Sequence, residues 1–65
     1  MSTTREPYVV TYPSGLAVTM TEFQVVDEMQ RHGFRYSEMA YHLVDLIAGH
    51  VLTADDGVTF ARVAD

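Results

Sequence analysis

The chain has 65 residues, a length that admits one domain, and a core of that size rarely supplies more than about 3–5 kcal/mol by itself. It carries no cysteine, which excludes disulfides and thiolate metal sites and leaves good packing or a second chain to hold the fold. Nine acidic residues stand against four arginines and no lysine, for a net charge of −5; a broad cationic surface for phosphate is thereby disfavoured, and the acidity fits a soluble protein or one that meets a basic partner.

Composition is 48% hydrophobic, which suits a globular domain and not a disordered one. No apolar run approaches the ~18–20 residues that span a bilayer, so no membrane partner is expected. The opening MSTTREP has one arginine and no hydrophobic stretch behind it, unlike a signal peptide; a cytoplasmic location is expected.

Residues 1–7 read as a short disordered lead, and residues 8–65 as a single α+β domain. YVVTY at 8–12 is β-branched and aromatic, which predicts a strand. Pro13-Ser14-Gly15 then predicts a three-residue hairpin loop with glycine in the left-handed position. The return strand runs from Leu16 to about Thr19. This register pairs Tyr12 with Leu16, Val10 with Val18 and Tyr8 with Met20 on one apolar face. Val9, Thr11, Ala17 and Thr19 form a more polar face, as in a ribbon buried on one side.

Thr19-Met20-Thr21-Glu22 reads as a capping box from Thr19 to Glu22, with Thr21 as a competing cap. A first helix follows to about His32 and stops at Gly33. Phe23, Val26 and Gln30 share one of its faces, and Val25 and Met29 the adjoining one. Glu22, Asp27, Glu28 and Arg31 can face water.

Ser37 predicts the N-cap of a second helix over Glu38 to about Ala48, ended by Gly49. Met39, Ala40, Leu43, Val44, Leu46 and Ile47 make an apolar stripe wider than a half-exposed helix needs. It is expected to be the central element, touched on two sides. HVLTA, Asp55-Asp56-Gly57 and VTFARV predict a second hairpin. A two-residue turn at Asp56-Gly57 would pair Thr53 with Phe60 and Val51 with Arg62; a three-residue turn would slip that register.

The order is β-hairpin, helix, helix, β-hairpin: a mini-domain with two helices packed on a small antiparallel sheet. Open strand edges carrying tyrosines and valines invite pairing with another chain, so a homodimer is expected. The element order resembles a winged-helix module, which implies that helix two enters the major groove and the last hairpin is the wing. Charge disfavours nucleic acid as a partner. Glu38 and Asp45 would meet phosphates, Asp55 and Asp56 would sit at the wing tip, and no lysine compensates.

Glu38, His42 and Asp45 follow at i, i+4 and i+7, a spacing that puts a Glu, a His and an Asp on one helical face. A metal would need a further ligand such as His50 or His32, and no second motif supports one. No nucleophile arrangement and no glycine-rich phosphate loop is present, so neither an enzyme nor a cofactor is expected. Tyrosine and arginine are favoured at interface hot spots. Arg35, Tyr36, Glu38, Tyr41, His42 and Asp45, at the start and on the outer face of helix two, are therefore the expected partner-binding residues. The reading is a small acidic module that binds a basic protein surface as an accessory regulator or stoichiometric inhibitor. By analogy, phages and mobile elements carry regulators of this kind. The alternative is a small winged-helix-like transcriptional regulator.

Overall fold

The computed structural model describes residues 7–63. The expected disordered lead lies outside the described residues except for Pro7, whose carbonyl accepts a 2.6 Å bond from the Val63 N–H. The fold is α+β. Strands β1 (Tyr8–Thr11) and β2 (Ala17–Met20) precede helix α1 (Glu22–Arg31). A short 3₁₀ turn, Tyr36–Glu38, leads into helix α2 (Met39–Ile47), and strands β3 (Leu52–Thr53) and β4 (Thr59–Arg62) complete the chain. Both hairpins join one four-stranded antiparallel sheet in the order β2-β1-β4-β3. Among the described residues no helix is long and apolar enough to cross a membrane.

The first hairpin has the expected register, with Tyr8 opposite Met20 and Val10 opposite Val18. Gly15 donates to the Tyr12 carbonyl at 2.8 Å and adopts φ +97°, the conformation that glycine alone reaches cheaply. The second hairpin takes the three-residue alternative. Leu52 faces Phe60 and Thr53 faces Thr59, and Ala54 and Gly57 repeat the bonding of Tyr12 and Gly15. One residue of slip decides which face a strand buries. This register puts Leu52 and Phe60 side by side against the core.

Several expectations are corrected. The capping box is Thr21 with Gln24: the Gln24 N–H donates to Thr21 Oγ1 at 3.3 Å, and the Thr21 N–H to Gln24 Oε1 at 3.0 Å. Thr19 cannot start the helix because β2 continues through Met20, with Thr19 paired to Val9. Ser37 is not an N-cap; the 3₁₀ turn passes through it, and α2 begins at Met39 without a side-chain cap. The tyrosine-bearing strand is no edge. β1 lies between β2 and β4, Tyr8 is buried and Tyr12 is half-buried. The last hairpin, which the winged-helix comparison makes the wing, is joined to the first: β4 is paired along its length to β1.

Both helices end in the same way. Gly33 donates to Gln30 and Phe34 to Met29; Gly49 donates to Leu46 and His50 to Asp45. These bonds are Schellman closures, and both glycines have φ near +100°. The core lies between the helices and one sheet face, where Tyr8, Val10, Val25, Met29, Met39, Leu46 and Phe60 are buried. Phe60 meets Phe34 edge-on at 5.5 Å, within the favoured range for aromatic pairs. Among the described residues α2 is not contacted on two sides: it buries Met39 and Leu46 and leaves Val44 and Ile47 exposed.

Candidate functional site

Helical spacing places Glu38, Tyr41, His42 and Asp45 on one side of α2, with Arg35 and Tyr36 in the segment that leads into it. Arg35 is exposed, and its carbonyl accepts from the Glu38 N–H at 3.0 Å, closing the 3₁₀ turn. Tyr41 is 75% exposed, and Tyr36, Glu38 and Asp45 also face water. His42 differs from this set. It is half-buried, its ring meets Phe34 edge-on at 5.0 Å, and Nε2 lies 3.9 Å from Glu38 Oε1. The sequence-expected group is thus one exposed acidic and tyrosine-bearing stripe with a histidine at its inner border. Among the described residues no three histidine or carboxylate side chains converge as a metal cluster.

The arginines do not assemble beside this stripe. Arg31 is paired to Asp27 at 3.1 Å on α1. Arg62 is in register with Tyr8, which also faces Met20 just before α1 begins. Arg31 and Arg62 therefore mark opposite ends of that helix.

A second constellation was not anticipated. His32 donates through Nδ1 to Asp56 Oδ2 at 2.6 Å and through Nε2 to Glu28 Oε2 at 3.0 Å. The Tyr12 hydroxyl donates to the same Glu28 oxygen at 2.7 Å, and the Val58 N–H to Asp56 Oδ1 at 3.2 Å. Tyr12 and Phe60 flank the imidazole, each with its ring centroid 6.2 Å away. Two carboxylates on the two ring nitrogens require both to carry hydrogen, so the imidazolium is the favoured form.

The electrostatics agree with this geometry. The bond to Asp56 raises the His32 pKa most; burial opposes, and the Glu28 bond adds to the rise. Glu28 is lowered, first by the Tyr12 hydroxyl and then, against burial, by His32. Asp56 is lowered by His32 and by the Val58 N–H. Tyr12 is raised, chiefly by its bond to Glu28. With both nitrogens engaged, His32 offers no free base; it ties the end of α1 to the tip of the second hairpin. Glu28 and His32 at i, i+4 were visible in the sequence. Their meeting with Asp56, 24 residues on, depends on the three-residue turn.

Comparison with known proteins gives no match to a family model, a curated protein or a solved structure.

Proposed function

We propose that the chain is a small acidic protein-binding module, working as a homodimer and acting as an accessory regulator or stoichiometric inhibitor of a partner with a basic surface. The observation that carries this reading is the exposed stripe of Glu38, Tyr41 and Asp45 on α2, with Arg35 and Tyr36 leading into it. Carboxylates steer encounter with a basic surface, and exposed tyrosines supply contact area at small entropic cost. The separation of Arg31 from Arg62 and the net charge of −5 further support a protein over a nucleic acid as the partner.

The test is affinity capture from host lysate by the parent and by an α2 triple variant, Glu38→Gln, Tyr41→Ala and Asp45→Asn, with labelled duplex DNA titrated in parallel at low salt. A protein held by the parent, released by salt and lost in the variant supports the reading. Submicromolar DNA binding that weakens steeply with salt overturns it.

A further inference from the structure

The side of α2 turned away from the acidic stripe is apolar and uncovered. Ala40, Leu43, Val44 and Ile47 follow at i, i+3, i+4 and i+7, the spacing of one helical face. Val44 is 63% and Ile47 57% exposed. Where this face approaches α1 it opens into a groove of about 530 Å³ lined by Phe23 and Val26 from α1 and by Tyr36, Met39, Ala40 and Leu43. Phe23 stands out from its edge, 90% exposed.

We infer that a second copy of this chain covers the face, with Phe23 of each copy seated in the α1–α2 groove of the other. The inference rests on the dimeric part of the function proposed above and names its interface. Two observations select a second copy as the occupant, and a third allows it. The first is area. Phe23, Tyr36, Val44, Ile47 and the small residues between them leave on the order of 600 Å² in water, about the area per partner at which specific interfaces begin. A contiguous apolar patch of that size is at the upper limit for a soluble monomer.

The second is shape. A two-fold interface must be complementary to itself. Here one surface carries both a protruding aromatic ring and a mostly apolar groove, lined by Val26, Tyr36, Met39, Ala40 and Leu43. The third is charge. Among the described residues Glu22 is the one charged residue lining the groove, while Glu38 and Asp45 lie on the acidic stripe around the helix. The net charge of −5 on each copy opposes pairing, and salt screens that repulsion.

The same chemistry explains the wide apolar stripe of α2. Met39 and Leu46 are buried in the intrachain core and Leu43 packs against it, while Val44 and Ile47 are left exposed among the described residues.

Sedimentation velocity tests the assignment, on the parent, Phe23→Glu and Val44→Glu, loaded from about 1 to about 300 µM so that mass action is visible. Both replaced side chains are exposed, and circular dichroism melts confirm that the variants fold. The parent is expected to dimerise with a dissociation constant on the order of 10 µM, and to dimerise more tightly as salt rises. Each variant is expected to raise that constant about tenfold or more, as loss of an interface anchor does. If the parent dimerises and both folded variants dimerise equally well, this face is wrong while the dimer reading stands. If the parent is monomeric throughout, the dimer reading falls and this assignment falls with it.

Discussion

Replacing His32 tests the cluster that ties the end of α1 to both hairpins. His32→Ala removes the donors to Glu28 and Asp56 and the ring that lies between Tyr12 and Phe60. The His32 side chain is 19% exposed and that of Asp56 53%, so the bond to Asp56 is largely screened. The bond to the more sheltered Glu28 and the ring packing carry most of the effect. A hydrogen bond to a charged group is worth ~1.5–3 kcal/mol when sheltered, and the partial exposure brings the whole substitution to about 2 kcal/mol. For a domain of this size that lowers the melting temperature by roughly 8–16 °C.

The pH dependence has a definite sign. His32 is raised above its ordinary 6.5, so its contribution is complete below that value and is lost as pH rises through the raised one. Glu28 and Asp56 are lowered from 4.5 and 3.8; theirs is complete above those values and is lost as pH falls through the lowered ones. The cluster is therefore most stabilising between about pH 4.5 and 6.5. Urea unfolding of the parent and of His32→Gln at about pH 5.5 and 8.5 isolates the effect, since glutamine donates without titrating. The parent is expected to lose stability at the higher pH by more than the variant does. An equal loss in both proteins would refute the assignment of the imidazolium to this clamp.

Other substitutions separate the remaining features. Phe60→Ala empties the centre of the core, and a Phe-to-Ala loss of ~3–5 kcal/mol matches the whole stability available to so small a domain; dispersed amide resonances are expected to collapse at room temperature. Gly57→Ala is expected to cost more than Gly33→Ala in thermal melts. Both residues have φ near +100°, but a Cβ at Gly57 would also meet Pro13 Cγ at 3.3 Å, whereas one at Gly33 meets nothing within 4 Å. The left-handed backbone by itself costs ~1–2 kcal/mol for a residue with a Cβ. Thr21→Ala removes the oxygen that accepts from the Gln24 N–H and is expected to destabilise by about 1 kcal/mol in urea titrations.

What was legible from sequence was local. Pro13-Ser14-Gly15 forms the predicted bulged loop because proline and glycine each determine their own backbone angles. Gly33 and Gly49 end the helices for the same reason. The errors lie where a distant partner decides. Thr19 and Thr21 both have cap chemistry; the pairing of Met20 with Tyr8 extends β2 and hands the role to Thr21. The two turns possible at Asp55-Asp56-Gly57 are equally good locally, and only the three-residue form sets Phe60 beside Leu52 in the core. The same form brings Asp56 to His32. Of the expected contact residues, His42 departs most, because Phe34 occupies the face of α2 that the spacing assigned to solvent.

The apolar width of α2 carries a different lesson. Its stripe predicts contacts on two sides, and the described residues make them on one. Patterning records every environment in which a helix was selected to sit, including surfaces of other molecules. Strand patterning gives the matching contrast. The sheet face turned from the helices presents Thr11, Thr19, Thr53, Thr59 and Ala61, hydroxylated or small side chains, with half-buried Val9 among them. The outer face of the helical layer presents Phe23, Val44 and Ile47, all more than half exposed. Two surfaces of one small protein thus differ in what solvent costs them, and the helical side carries the larger exposed apolar side chains.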